Sequence, residues 1–269
     1  MNKYIYAFIS IFFFQLNASS QQKEISIISW NIQDFGKEKD ANEITKIANT
    51  LQEYDIIAIQ EVVAGFGGAQ AVARLSEELN RKGDKWSYVV SNPTNSPKYL
   101  VERYAFIWKS KHIKIKNRGN LLSSLASVID REPFAIDFYF NKKKFKIINY
   151  HARYFKKRPE DEIKPLLEYI EKIKIPVLLA ADFNKKTNDS IFDSFKEKGF
   201  TEALKNKRTT LKKKCKNNNY LNYAIDNIFY SKHFTKIEAS PIDFIKKCNN
   251  LTNARMLSDH LPVYLRVGI

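Results

Sequence analysis

A two-sheet β-sandwich with helices on its outer faces, an α/β fold of the α+β kind, is what this sequence predicts. Past the first twenty residues, short apolar runs alternate with amphipathic helical stretches, the pattern of sheets covered by helices. No Gly/Ser-rich linker or low-complexity break interrupts them, so residues 22–269 read as one domain. The third observation is an internal echo, in which Trp108-Lys109-Ser110-Lys111-His112-Ile113 resembles Phe229-Tyr230-Ser231-Lys232-His233-Phe234. The echo reads either as two similar turns or as the mark of two related β-rich halves packed as facing sheets.

The strands expected in order are Ile25–Trp30, Asp55–Gln60, Tyr104–Trp108, Phe134–Phe140, Phe145–Tyr150, Pro176–Ala181, Ile225–Tyr230 and Pro262–Val267. Each is a short run dominated by β-branched, aromatic or leucine side chains. Helices are expected over Ala41–Glu53, Ala69–Arg81 and Pro159–Lys174, where apolar residues recur every three or four positions. Ahead of them, Lys3 is followed by the uncharged, mostly apolar run Tyr4–Leu16, too short for a membrane span. Ala18-Ser19-Ser20 then offers small residues three and one before Gln21, so residues 1–20 read as a signal peptide cleaved after Ser20. An uncleaved anchor or a buried strand is the alternative. An exported protein is therefore expected, extracellular or periplasmic, with no stable membrane association.

Composition narrows the partner. Lys+Arg number 45 against 29 Asp+Glu, a formal charge of +16, of which the leader carries only Lys3. Such a field draws polyanions. Apolar residues at 44% exclude disorder, and the two cysteines, Cys215 and Cys248, are too few for a Cys-rich zinc module. In an exported chain those two can close one disulfide loop, and two free thiols are the alternative.

Chemistry-bearing residues gather at strand ends. Asn31, Glu61, His151, Asp182 with Asn184, Asp226, and Asp259 with His260 each follow or open an apolar run. Alone, each is an ordinary turn residue. Together they fit one sheet edge. Ser29-Trp30-Asn31, Ile59-Gln60-Glu61, Glu102-Arg103-Tyr104-Ala105, Arg131-Glu132-Pro133, Asn149-Tyr150-His151, Asp182-Phe183-Asn184, Asp226-Asn227 and Ser258-Asp259-His260-Leu261-Pro262 occur in this order. From Ile25 to Val267 the chain thus resembles the endonuclease/exonuclease/phosphatase superfamily, and within it deoxyribonuclease I and related secreted bacterial nucleases.

The resemblance implies a deoxyribonuclease I-like four-layer sandwich of two packed, mainly antiparallel sheets flanked by helices. It also implies two His–carboxylate pairs, Asp226 orienting His260 as general base and Glu102 orienting His151, which protonates the leaving group or holds the phosphate. Hard oxygen donors from Glu61, Asp259 and the Asn31 amide suit Mg²⁺ or Mn²⁺, with Ca²⁺ a further candidate. Asp182 is expected to position water and Asn184 to donate to the phosphate, while Arg131 resembles a phosphate-clamping arginine. The family's usual Gly is Ala181 here, which questions any need for a left-handed backbone at that point. Val63 stands where deoxyribonuclease I places a minor-groove arginine, leaving Tyr99 as the residue for insertion and duplex preference open.

Two basic clusters flank these motifs. Lys205–Lys216 includes Lys212, Lys213 and Lys214, and Arg153, Lys156, Lys157 and Arg158 follow His151. Both read as phosphate-tracking surfaces without a base code, or else as solvated loops. The function expected is a secreted, monomeric, divalent-metal-dependent phosphodiesterase that cuts DNA with little sequence preference. Its rivals are a lipid or inositol-phosphate hydrolase of the same fold, such as a sphingomyelinase-like enzyme, and a non-catalytic basic protein that only coats polyanions.

Overall fold

The computed structural model describes residues 24–269, so the expected leader lies outside the described residues. In chain order the elements begin β1 (Glu24–Phe35), α1 (Ala41–Leu51), β2 (Ile56–Val63), α2 (Phe66–Arg81), β3 (Trp86–Val90), β4 (Glu102–Lys109), β5 (Ile113–Ile115) and β6 (Asn120–Leu121). They continue with β7 (Phe134–Phe140), β8 (Lys143–His151), α3 (Glu160–Ile170), β9 (Val177–Asp182), α4 (Asp193–Glu197) and β10 (Phe200–Glu202). The last are β11 (Leu211–Lys216), β12 (Asn219–Leu221), β13 (Asp226–Ser231), β14 (Thr235–Pro241), α5 (Leu251–Leu257) and β15 (Val263–Gly268). Among the described residues no helix is long and apolar enough to cross a membrane.

Two six-membered strand paths face each other, β14-β15-β1-β2-β4-β3 and β10-β13-β9-β8-β7-β5, with β6 beside β7 and β11–β12 as a separate ribbon. Both sheets are mixed: β1 with β2 and β8 with β9 run parallel, and all other pairs are antiparallel. Each parallel pair is bridged by a helix, α1 or α3, because a parallel connection must return the chain along the sheet.

Side-chain alternation explains why the central strands read as unbroken apolar runs. Ile27, Ile147, Leu178 and Ile228 point between the sheets into one core with Phe106, Phe134 and Phe138. Their neighbours point outward. Ile28 packs with Ile44, Ile47 and Leu75 of α1 and α2, and Ile148, Leu179 and Phe229 pack with Ile163 and Leu166 of α3 and Phe195 of α4. Three apolar seams thus separate four layers, and a strand covered on both faces has no polar side. Asp40 caps α1 through a reciprocal capping box with Glu43. Gly68 of α2 lies so close to the end of β2 that a Cβ there would stand 1.9 Å from the Val63 carbonyl oxygen.

All eight expected strands and three helices form. The structure adds edge strands and short elements, and it ends the third helix at Ile170 instead of Lys174, after which the chain turns toward Pro176. The echo falls at equivalent places in the two halves. β4 leads through Ser110-Lys111-His112 into β5, which pairs with β7 of the opposite sheet, and β13 leads through Ser231-Lys232-His233 into β14, which pairs with β15 of the opposite sheet. The two copies are therefore the two points at which the chain crosses between sheets.

Cys215 and Cys248 are disulfide-bonded with a Cα–Cα separation of 5.8 Å. The bond ties the β11–β12 ribbon to the turn before α5, over a small core of Leu211, Tyr220, Ile245, Leu251 and Leu261. Closure of a loop of 33 residues contributes roughly 4 kcal/mol in the chain-entropy model. The double variant Cys215→Ser, Cys248→Ser is expected to unfold at a clearly lower temperature than the wild type in the absence of reductant. Equal melting curves would show that the small core holds the ribbon unaided.

Candidate active site

The strand ends converge because the sheets are stitched together directly beneath them. Gln60 Nε2 donates to Asn149 Oδ1 at 2.6 Å and to Ser29 Oγ at 3.0 Å, while Asn149 Nδ2 donates to the carbonyls of Ile59 and Ala105 at 3.0 and 3.2 Å. These amides are completely buried and fix the relative height of β2, β4 and β8.

In the second sheet, register brings three groups into one row. His151 at the end of β8 pairs with Asp182 at the end of β9, and Asp182 pairs with Asp226 at the start of β13. The first sheet supplies Asn31, Glu61 and Glu102. Glu61 is placed by a register slip between Ile59 and Val62, with a left-handed backbone at φ 58°. A bulge of this kind re-aims one side chain at the end of a strand, at a conformational cost of about 1–3 kcal/mol for a non-glycine residue.

Two imidazoles are held from behind. His260 Nδ1 lies 3.0 Å from both carboxylate oxygens of Asp226, and His151 Nδ1 lies 3.2 and 3.0 Å from those of Glu102. Their Nε2 atoms face each other across Asp182, whose Oδ2 is 3.5 Å from that of His151 and 3.7 Å from that of His260. Asn184, left-handed at φ 45°, donates its backbone N–H to Asp182 Oδ1 at 2.9 Å, and its amide lies 3.2 Å from His151 Nε2. Asn31 Nδ2 bridges the sheets, donating to Glu61 Oε1 at 2.9 Å and Asp182 Oδ2 at 3.0 Å.

The charges follow from these contacts. Burial and Arg131 both oppose a proton on His151, yet Glu102 and Asp182 outweigh them and hold its pKa above the usual imidazole value. Burial likewise opposes charge on His260, and Asp226 and Asp182 overcome it, so that its pKa is also raised. Burial would lift the Asp182 pKa, but the two histidines, the Asn184 N–H and the Asn31 amide hold it below the usual carboxylate range.

Asp182, Asp226 and His260 offer ligand atoms within 4.8 Å of one another. Asp226, however, already accepts from His260 Nδ1 and, at 2.5 Å, from Thr209 Oγ1, which makes it an orienting group and not a metal ligand. The better donor set is Asn31 with Glu61. Asn31 Oδ1 is buried with no hydrogen-bond partner among the described residues, an oxygen donor left open beside a partly exposed carboxylate. Such a pair fits a hard divalent cation. Asp259 keeps its side chain one-third exposed, 3.9 Å from His260 Nε2 and 3.7 Å from Arg255 Nη2.

Arg131 does not take the expected clamping position. Its Nε and Nη2 donate to the carbonyls of His151 and Ala152 at 3.2 and 2.6 Å, and Nη1 lies 3.7 Å from Glu102 Oε2. With its donors turned inward and the side chain buried, it braces the Glu102–His151 pair in place of gripping a phosphate. Tyr99 is 90% exposed on the loop entering β4. Of the lysine triplet, Lys213 faces a cavity of about 770 Å³ that shares His260, Asp259 and Asn184 with the site. Lys212 reaches back to the Asn219 carbonyl at 3.3 Å, and Lys214 is exposed on the ribbon. The three lysines therefore do not form one patch. Arg153, expected as part of a second basic cluster, is committed to Asp130 and Glu162 at 3.1 and 2.9 Å.

Three supporting residues were given no role by the sequence, although Ser258 opens one of its motifs. Thr209, fully buried, donates to Asp226 Oδ2, the oxygen that His260 Nδ1 also contacts, and accepts from the Asp226 N–H at 3.1 Å. Ser258 donates to the Asn31 carbonyl at 2.6 Å and accepts from the His260 N–H at 2.9 Å, joining the metal side to the base side. Lys39 donates to the Met256 carbonyl at 2.7 Å. Burial lowers its pKa against the pull of Glu43, Asp34, Glu61 and Asp259.

Residues 28–260 match the model of the Endonuclease/Exonuclease/phosphatase family. No curated protein matches the chain by sequence. Among solved structures, an endonuclease/exonuclease/phosphatase family protein from Bacteroides thetaiotaomicron superposes with a TM-score of 0.68 at 16% identity, over 92% of this chain and 98% of its own. A mannosyl-6-phosphatase from the same species gives 0.66 at 16%, covering 91% and 100%. The D. rerio protein TDP2, complexed with a single-strand DNA product, gives 0.65 at 17%, covering 91% and 99%. At such identities these structures share the fold with this chain.

Proposed function

The chain belongs to the endonuclease/exonuclease/phosphatase family, and from that premise we propose that it is an exported, divalent-metal-dependent phosphodiesterase that cuts DNA with little sequence preference. The observation that carries this reading is the meeting of two carboxylate-backed imidazoles from different elements on Asp182, beside the open Asn31–Glu61 oxygen pair. A phosphodiester needs an activated water on one side of phosphorus and a stabilised leaving oxygen on the other, and two opposed imidazoles meet both needs.

In its neutral form, which its raised pKa confines to higher pH, His260 takes the proton of the attacking water at Nε2, while Asp226 fixes the tautomer with Nδ1–H pointing inward. Asp182 and Asn184 hold that water and a phosphoryl oxygen between the rings. His151, braced by Glu102 and Arg131, serves the phosphoryl or leaving oxygen from the other side. Glu61 and Asn31, with Asp259 as a further donor, would hold a divalent cation, which would supply charge neutralisation on the phosphate. The excess of cations and Lys213 at the cavity wall favour a polyanionic substrate.

Conversion of supercoiled plasmid to nicked and linear forms in Mg²⁺ or Mn²⁺ tests the reading. Hydrolysis of a small sugar phosphate or of a lipid phosphodiester with plasmid left intact would replace it. Lys213→Gln is expected to reduce the salt dependence of DNA binding by about one slope unit, as for one lost phosphate contact. Lys214→Gln, further from the cavity, is expected to change it less. Equal slopes in all three proteins would make the ribbon a bystander.

A further inference from the structure

The 770 Å³ cavity beside His260 has a wall that phosphate chemistry leaves unused. Tyr154 and Phe155, on the turn that follows His151, stand with ring centroids 4.4 Å apart and planes inclined by 59°. Tyr223 lines the same cavity from the segment between β12 and β13. All three rings are about half exposed, although the backbones that carry them are fixed. The Thr209 and Thr210 N–H groups donate to the Tyr223 carbonyl at 2.7 and 3.1 Å, and the Lys157 N–H donates to that of Tyr154 at 2.7 Å.

Rings held open in this way touch the cavity and not the core, and apart from the Phe155 face under the Lys156 ammonium, 5.9 Å from its centroid, and the contact between Tyr154 and Phe155, they offer surface for stacking. The cations are distributed to match. Lys185 is neutralised by Glu160 and Asp189, each at 3.1 Å, whereas Lys156, Lys186 and Lys213 line the cavity with no salt-bridge partner among the described residues. Aromatic rings and ammonium groups on one cavity wall suit a ligand that carries both flat rings and phosphates. Duplex DNA presents its phosphates but keeps its base faces stacked inside. Unpaired nucleotides present both. The volume lies within the range of about 300–1,000 Å³ typical of small-molecule sites, enough for a nucleotide unit and too small for a double helix.

We propose that this cavity is a base-stacking subsite for unpaired nucleotides next to the scissile phosphate, and that the protein prefers single-stranded over double-stranded nucleic acid. The proposal rests on the nuclease reading and adds to it the strandedness of the substrate.

Binding in excess chelator, where no cleavage occurs, tests it without reference to activity. A short fluorescein-labelled oligonucleotide and its duplex would be titrated at equal salt and followed by anisotropy. The single strand is expected to bind more tightly. Tyr223→Ala, and the double variant Tyr154→Ala, Phe155→Ala, should each weaken single-strand binding by at least about fivefold per lost stack. Duplex binding and the salt slope should be unchanged, in contrast to Lys213→Gln, and Tyr223→Phe should restore the wild-type value. Because the rings are half exposed, melting curves should not shift. Tighter duplex binding by the wild type, or equal losses on both substrates, would overturn the subsite and leave the nuclease reading standing if plasmid is still cut. If neither nucleic acid is bound or cut, the nuclease reading fails and the subsite with it.

Discussion

Replacing His260 by Ala should lower the turnover of DNA cleavage by at least about a hundredfold, the lower end of what general acid–base catalysis contributes, with little change in DNA affinity. Nδ1 is already engaged by Asp226, so Nε2 is the only ring atom free to take a proton. The backbone at residue 260 has its own supports, since Trp30 Nε1 donates to its carbonyl at 2.9 Å and its N–H donates to Ser258. The variant should therefore remain folded, which a melting curve checks. Asp226→Asn should cost less, because the imidazole stays in place without its charge partner. The double variant should be barely slower than His260→Ala alone, since the two residues act as one unit. Fully additive losses would mean that Asp226 works on water or substrate independently, and the pairing would have to be withdrawn.

Glu61→Ala should be at least as damaging. Charge stabilisation by a divalent cation contributes several kcal/mol, so a loss on the order of a thousandfold is expected, matched by the wild type in excess chelator. Glu61→Gln separates ligation from shape: it keeps the bulge and a hydrogen bond to Asn31, but removes the charge. Calorimetric titration with Mn²⁺ should show binding to the wild type and greatly weakened binding to the Gln variant. Undiminished cleavage in chelator would remove the ion from the reaction altogether.

How much of the molecule its sequence discloses depends on what each residue reports locally. The central strands were legible because both faces are apolar. β14, with the sequence Thr-Lys-Ile-Glu-Ala-Ser-Pro, was not, since an edge strand half open to solvent has no such pattern. The lysine-rich β11 reads as a loop for the same reason. At the site, residue types at strand ends together with motif order pointed to the residues that meet. Orientation was hidden. Nothing near Arg131 in the chain indicates that its guanidinium turns toward carbonyls contributed by the end of β8. Thr209 is opposed to Asp226 by a fold-back of the whole ribbon. Tyr154 and Phe155 belong to no motif in the sequence, and only the cavity gives them a common wall.

The place of β15 has a bearing on synthesis. It is the last strand in chain order, yet it lies between β14 and β1 in the interior of its sheet, with Asp259 and His260 just ahead of it. β1, the first of the described strands, keeps one edge unpaired until β15 has been made, and the proposed proton acceptor arrives with the segment that closes that edge. Closing that edge and delivering His260 are thus one step. A chain made only as far as β14 carries Glu61, His151 and Asp182 but lacks His260, the base of the proposed mechanism. Strand order alone therefore keeps the proposed base apart from the other site residues until the sheet around β1 is closed.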